Sequence, residues 1–151
     1  MASIHSYPDA SFKAGTGVNT TTAIYKAVYL SADNTVSICK TITTQAAFIG
    51  ILQDYANTTG AAVPVRLAGP TKAILKGASI TAGAFVAVAV GTTTALGQVA
   101  PHSIKMGDTP TAGSAVLLGK CLLGSQSGTD TVCEIFLQPV ISNALTTTVV
   151  A

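Results

Sequence analysis

The order of apolar and polar positions along the chain predicts a protein built from short β-strands. Apolar runs alternate with clusters of Gly, Asn, Asp, Ser and Thr, which is the pattern of strands joined by turns. No window contains an apolar stripe with the 3.6-residue period of an amphipathic helix. The β-branched residues, among them 22 threonines, also favour strands. The predicted strands lie near residues 23–30, 34–40, 46–53, 62–68, 71–76, 84–90, 95–99, 115–123 and 131–138.

The spacing of these strands predicts an all-β fold, either a small barrel or a sandwich of short antiparallel strands. The turn residues Ser31-Ala32-Asp33-Asn34 predict a hairpin between two of them. Residues 1–22 combine proline, glycines and a polar run, and they predict an extended N-terminal arm. Residues 140–151 predict an apolar C-terminal arm, which leaves 23–139 as the β domain.

Two stretches of the chain resemble each other. In each, a glycine (Gly50 or Gly119) opens a strand, a polar loop that contains glycine reverses the chain, and a proline (Pro70 or Pro139) closes the return strand. A chance likeness between two β-hairpins is the alternative explanation. The repeated order of features favours two related β-units.

The segment upstream of each stretch corresponds as well, since Ile24–Leu30 matches Phe85–Val90 loosely. The two β-units are therefore expected at residues 23–70 and 80–139. In the second hairpin, a loop centred on residues 124–130 places Cys121 opposite Cys133 and Lys120 opposite Glu134. Opposite charges that face each other across a ladder stabilise it by roughly 0.2–1 kcal/mol.

Composition changes this picture, because apolar residues make up 48% of the chain and charged residues only 9%. Ordinary soluble domains contain about 25% charged residues. By the usual mass scaling the folded chain has a surface of about 7,000 Å². So little charge leaves much of that surface apolar, and we expect other subunits to cover it.

Several partners and locations are not expected. The longest apolar stretch, Ala82 to Val90, is far shorter than the ~20 residues of a membrane-spanning helix, so no membrane partner is expected. The net charge of +2 comes from scattered lysines and predicts no nucleic-acid binding. Residues 1–7 have neither a basic start nor an apolar core, so we expect synthesis in a host cytoplasm.

The residues that carry chemistry are few. Cys39, Cys121 and Cys133 lack metal-site spacing and are expected to be reduced, buried residues. His102 stands in a loop that could approach a cysteine nucleophile, but no other feature supports such a site. Asp33, Asp54 and Asp130 fall in predicted turns, where aspartate bonds the local backbone. No enzyme activity, cofactor, metal or small-molecule substrate is therefore expected.

The position of Lys72 in the sequence suggests a separate hypothesis, a carrier domain with a modified lysine. Gly69-Pro70-Thr71-Lys72-Ala73 places Lys72 in a predicted turn between two strands, loosely as in biotin or lipoyl carrier domains. Such domains usually flank the modified lysine with acidic residues or methionines, and Pro70-Thr71 supplies neither. A carrier role is kept as a minor alternative.

The order of these segments resembles the bacteriophage capsid decoration (cement) protein family. The part most similar to that family is Gly77–Val86, where an alanine-glycine turn leads into an apolar strand. The other segments that carry the resemblance are Val28–Leu30 with Thr35–Val36, Phe48–Leu52, Val63–Gly69, and Leu118–Lys120 with Glu134–Leu137.

The resemblance implies a structural virion protein that binds the outer surface of a phage head and stabilises the capsid lattice. The implied partners are the major capsid protein and further copies of the chain itself, as a homotrimer. Because Phe85–Val90 is apolar on both faces, we expect it to pack on the core and on a neighbouring protomer. The expected protein-interface residues are Ile4, Tyr7, Phe12, Phe85, Val86, Val88, Ile141, Leu145 and Val149.

Other virion parts remain open alternatives, namely a head-fibre base, a tail-tube subunit or a host-attachment module. If the arms bind the head, then trimming residues 1–15 or 141–151 should weaken head binding and leave the β fold intact.

Overall fold

The all-β prediction is confirmed by a computed structural model of the chain. The structure describes residues 9–40, 47–76, 79–89, 96–102, 117–124 and 131–138. These form a 3-10 helix at Thr21–Ala23 and the strands β1 Asp9–Ala14, β2 Ala27–Ala32, β3 Thr35–Ile38, β4 Phe48–Leu52, β5 Ala62–Arg66, β6 Gly69–Leu75, β7 Phe85–Val88, β8 Val99–His102, β9 Leu117–Leu123 and β10 Thr131–Leu137.

The strands close into two small barrels rather than a sandwich. The first barrel has the order β1-β3-β2-β4-β5, with β5 returning to β1, and the second has the order β6-β8-β7-β9-β10, with β10 returning to β6. In the first barrel β1 runs parallel to β3, and in the second β6 runs parallel to β8. The remaining pairs in both barrels are antiparallel. The two barrels therefore share one topology.

The likeness of the barrels extends to individual residues. In the first barrel Val28 lies opposite Gly50, and a bulge separates this pair from the next one, which involves Phe48. In the second barrel Val86 lies opposite Gly119, and a bulge follows at the same place. A β-bulge is a specific feature of a strand pair and does not follow from the strand order alone. Its presence beside a glycine at the same place in both barrels therefore indicates that the two units are related. The chain is thus a tandem repeat of one structural unit.

The turn that leads into each unit's second strand is also the same. The Tyr25 N–H donates to the Leu52 carbonyl oxygen at 2.8 Å, and the Gly83 N–H donates to the Cys121 carbonyl oxygen at 2.8 Å. Both residues have a positive φ, 63° for Tyr25 and 84° for Gly83. In the second unit this left-handed position is occupied by glycine, which adopts it without steric cost. In the first unit it is occupied by tyrosine, a residue type that rarely adopts a positive φ.

The predicted boundaries of the units need correction. The first unit begins at β1 rather than at residue 23, so residues 9–22 are not an extended arm. Ala10, Phe12 and Ala14 alternate with polar residues, and Phe12 and Ala14 pack in the first core. Residues 1–8 and 140–151 lie outside the described part of the chain, and so does Pro139. The predicted match of Ile24–Leu30 with Phe85–Val90 is shifted by three residues, because Val28 corresponds to Val86.

The second hairpin has a different register from the predicted one. Cys121 does not lie opposite Cys133, nor Lys120 opposite Glu134, because the whole pairing of β9 with β10 is displaced by two to three residues from the predicted register. Glu134 instead faces Lys72 on β6, so the cross-strand pair of opposite charges exists with another lysine. The observed pairs between β10 and β9 are Glu134 with Leu123, Ile135 with Cys121, Phe136 with Lys120, and Leu137 with Gly119.

Two apolar cores hold the molecule together. The first fills barrel one and includes Val28, Leu52 and Val65, all fully buried. The second fills barrel two and reaches beyond it, because Ala27 and Ile51 on the outside of barrel one belong to it. The second barrel therefore covers one outer face of the first, and the two barrels share buried surface.

Candidate functional site

The described members of the predicted interface differ in exposure. Phe12 is half-buried and packs against the first core, so it contributes to folding. Val86 and Val88 are 0% and 2% exposed and belong to the second core. Phe85, at 39% exposed, is the one of these four that presents a large apolar surface to solvent. The remaining predicted residues, Ile4, Tyr7, Ile141, Leu145 and Val149, lie outside the described residues.

The prediction that β7 packs on the core with one of its two faces is confirmed by Val86 and Val88, and for that reason the prediction of these two valines as interface residues is wrong. Both flanks of β7 are paired, to β8 and β9, and the strand curves around the core of a closed barrel. Val86 and Val88 point into that core, and Ala87 between them is also buried. Phe85 is the first residue of β7, and its side chain faces outward.

Phe85 forms one wall of an apolar groove on the outside of barrel two. The groove has a volume of about 330 Å³ and runs across β7, β9 and β10. This volume lies at the lower end of the range of about 300–1,000 Å³ that is typical of small-molecule sites, and it can also hold apolar side chains of a protein partner. Its lining consists of Phe85, Leu117, Gly119, Lys120, Leu122, Phe136 and Gln138.

A single charged side chain stands among the residues that line the groove. The Lys120 Nζ lies 5.2 Å from the centre of the Phe85 ring, within cation–π range. Lys120 is exposed, and a lysine at such a position can cover apolar surface with its aliphatic stem and keep its ammonium in solvent. The groove therefore suits an apolar partner surface that has a negative charge at its edge.

The β9–β10 hairpin extends the apolar surface beyond the groove. Leu122 is 47% exposed, and Leu123 and Val132 are 62% and 42% exposed. Neighbouring exposed apolar side chains on a soluble protein mark sites of association. Sequence reasoning predicted this hairpin but missed Leu117, Leu122 and the exposed surface that the hairpin presents. One signal was present in the doublet Leu117-Leu118, since two adjacent leucines in a strand point to opposite faces.

A polar pocket of about 300 Å³ lies where the two barrels meet. The Gln53 Nε2 donates to the Thr71 Oγ1 at 2.9 Å, and the Lys72 Nζ lies 5.9 Å from the centre of the Tyr25 ring. These contacts tie barrel one to barrel two. The carrier-lysine hypothesis is wrong in its geometry, because Lys72 lies inside β6 opposite Glu134 and not in a turn.

The three cysteines are buried, as the sequence predicted. Burial raises the pKa of the Cys39 thiol to about 12. Burial and the neighbouring Cys121 raise the pKa of Cys133 to about 11, and burial raises that of Cys121 as well. A raised pKa keeps each thiol protonated and unreactive near neutral pH, which is the opposite of an activated nucleophile.

Other kinds of site find no support among the described ranges. They contain no group of three or more His, Cys, Asp or Glu side chains that could hold a metal ion. No helix in the described part of the chain is long and apolar enough to cross a bilayer. The fold and its surface thus define a tandem two-barrel protein with an exposed apolar groove. The chain matches no protein-family model and no curated protein.

Proposed function

We propose that this chain is a structural virion protein that binds the outer surface of a bacteriophage head and stabilises the capsid lattice. Its partners are the major capsid protein and further copies of the chain itself. The observation that carries the proposal is the apolar groove of barrel two together with the exposed β9–β10 hairpin. In a chain with only 9% charged residues, such a surface favours contact with other subunits.

The energetics suit binding through many weak contacts. Burying apolar surface contributes roughly 25 cal/mol per Å², so half-exposed side chains such as Leu122 and Phe85 each add about 1 kcal/mol. One such contact is weak by itself. A partner lattice that presents many equivalent sites, or an oligomer that engages several at once, multiplies the effect through effective concentration.

The carboxylates in the described residues support a non-enzymatic role. Asp9 forms a salt bridge with Arg66, and Asp54 accepts a hydrogen bond from the Tyr55 N–H at 2.8 Å. Asp33 lies in the turn between β2 and β3. The Asp9 and Asp54 side chains thus have structural tasks, and Asp33 and Asp54 both lie in connections between paired strands, as the sequence predicted.

The proposal is tested with phage heads that lack the protein. Purified chain is added to the heads, and bound copies and the temperature at which the heads open are measured. We expect hundreds of copies per head and a higher opening temperature. Absence of binding, or only a handful of copies per head, would contradict a decoration role.

A truncation separates the tail from the barrels in the same assay. Removal of residues 141–151 should weaken head binding and leave the circular dichroism spectrum unchanged. The matching N-terminal truncation has to stop at residue 8, because residues 9–14 form β1. Head binding that survives both truncations unchanged would mean that the barrels alone contact the lattice.

A further inference from the structure

The tandem repeat allows each surface of one barrel to be compared with the same surface of the other. Ala27 lies opposite Ile51 in barrel one, and Phe85 lies opposite Lys120 in barrel two. Each pair stands immediately beside the matched valine–glycine pair described above. Ala27 and Ile51 therefore correspond to Phe85 and Lys120.

The corresponding faces of the two barrels differ in solvent exposure. Ala27 and Ile51 are 0% exposed because the second barrel lies over them, and Phe48 packs against the same cluster. Their counterparts in barrel two, Phe85 and Lys120, line the apolar groove and are exposed. The groove is thus the counterpart of a face that, within one chain, is covered by a barrel of the same topology.

We propose that the groove of barrel two binds the first barrel of a second copy of this chain, which continues the contact between the barrels from one molecule to the next. The inference deepens the self-association in the proposed function and rests on it, but it concerns the purified protein without any capsid. The groove occupies the position in barrel two that corresponds to the face of barrel one covered within the chain, and this correspondence supports the proposal.

The covering surface identifies the part of the second copy that would enter. Within one chain, the Gly97 carbonyl oxygen accepts a hydrogen bond from the Ala27 N–H at 2.7 Å. A Cβ placed on Gly97 would lie 2.8 Å from the Lys26 Cβ. Gly97 stands two residues before Val99, the residue of β8 that pairs with β6.

The counterpart of Gly97 in barrel one is Asn34. It stands two residues before Val36, the residue of β3 that pairs with Ala14 of β1. Both have a positive φ, 53° for Asn34 and 69° for Gly97. The turn that contains Asn34 also carries the exposed Asp33, whose charge is opposite to that of Lys120 in the groove. The β2–β3 turn and the adjoining β1 are therefore the surface expected in the groove.

The contact between copies is expected to be weaker than the one within the chain. In barrel two the Ile74 N–H donates to the Tyr25 carbonyl oxygen of barrel one at 3.1 Å, so backbone hydrogen bonds join the barrels. In barrel one the corresponding Lys13 N–H donates to the Asn34 carbonyl oxygen at 2.7 Å. These groups are already paired, so a second copy would be held by side-chain packing. Such a contact joins two different surfaces, which gives closed rings or open chains of copies.

The first experiment measures the mass of the purified chain in solution. Sedimentation equilibrium compares the unaltered protein with Leu122→Glu, which places a charge in the groove. The control is Asn57→Glu, because Asn57 is exposed between β4 and β5 and belongs neither to the groove and the β9–β10 hairpin nor to β1 and the β2–β3 turn. We expect multiples of the 15.1 kDa chain for the unaltered protein and the control, and a monomer for Leu122→Glu.

The second experiment tests which surfaces meet. Ala84 occupies the position in barrel two that Lys26 holds in barrel one. Ala84→Cys and Asn34→Cys are prepared as separate proteins, mixed and oxidised. A disulfide-linked dimer should form in the mixture and not in either protein alone, because the native cysteines are buried.

Three results would overturn the inference. They are a monomeric unaltered protein at hundreds of micromolar, equal loss of association in Asn57→Glu and Leu122→Glu, and a disulfide dimer of Ala84→Cys alone. If residues 139–151 of the same chain filled the groove, the unaltered protein would be monomeric, which is the first of these results. A monomer that still decorates phage heads would overturn this inference and leave head binding intact.

Discussion

Gly50 and Gly119 occupy the same position in the two barrels, and a single methyl group at either one tests the close approach of β4 to β5 and of β9 to β10. A Cβ at Gly50 would lie well inside van der Waals contact with the Arg66 carbonyl oxygen and 2.7 Å from the Val65 Cγ1. A Cβ at Gly119 would overlap the Phe136 carbonyl oxygen even more closely. The two carbonyl oxygens belong to the backbone of paired strands and cannot simply rotate away.

The expected cost differs between the two sites because only Gly119 also has a disfavoured backbone angle, with φ at 151°. Gly60 provides the matched control, since its φ is 86° and a Cβ there would meet no atom within 4 Å. Gly60→Ala should cost about 1–2 kcal/mol through the backbone angle alone. Gly50→Ala should cost about 1–3 kcal/mol through overpacking alone. Gly119→Ala combines both effects and should cost roughly 2–5 kcal/mol.

Thermal unfolding followed by circular dichroism measures these differences. For a chain of this length each kcal/mol lowers the midpoint by roughly 2–4 °C. The order of midpoints should be unaltered protein first, then Gly60→Ala and Gly50→Ala, with Gly119→Ala lowest. A Gly50→Ala variant as stable as the unaltered protein, or a Gly60→Ala variant less stable than Gly119→Ala, would refute the closeness of these strands.

Three further predictions follow from the fold. Ile51→Ala should lower the free energy of unfolding by about 2–5 kcal/mol because it leaves a cavity between the barrels. Lys120→Ala, at the corresponding exposed site, should lower it by under about 1 kcal/mol, and equal losses in urea unfolding would contradict the repeat. In the unfolded chain the Cys39 thiol releases its proton above its ordinary pKa of 9.0, whereas burial in the folded chain raises that pKa to about 12. The free energy of unfolding should therefore be constant from pH 6 to 8 and fall above pH 9. Cys39→Ala should reduce that fall, and an unchanged pH profile would argue against its burial. Removal of residues 1–8 should preserve the far-ultraviolet spectrum, whereas removal of residues 1–15 deletes β1 and should unfold barrel one; a cooperative, native-like transition after the longer truncation would show that β1 is dispensable.

Much of the fold could be predicted from the chain's own pattern because strand and turn signals are local. The hairpin at Asp33-Asn34 and most strands followed from apolar runs and turn residues. β1 was missed because Gly15, Gly17 and the polar run after them resemble a linker, and its partner β5 lies about fifty residues away in sequence. A long-range pairing of that kind leaves no local mark.

The register of the second hairpin and the groove were harder to predict for a related reason. The prediction assumed a loop centred on residues 124–130, whereas the observed pairing is displaced by two to three residues along its whole length, and a β-bulge beside Glu134 adds an irregularity that has no distinctive sequence. The groove depends on which outer face the other barrel covers. That face was set by Ile51 and Ala27, whose burial reflects the packing of one repeat on the other and not the pattern of either.

Ring closure of both ladders has a consequence for a chain so rich in threonine, valine and alanine. Each barrel completes its own circuit of strands, so neither leaves a long open edge that could recruit extended segments from other molecules into a growing fibril. For the described strands of two copies, contact is therefore made through side chains rather than by extending a β-ladder. Closed ladders of this kind offer these strands no template for fibril growth, even where copies of a sparsely charged protein are crowded together.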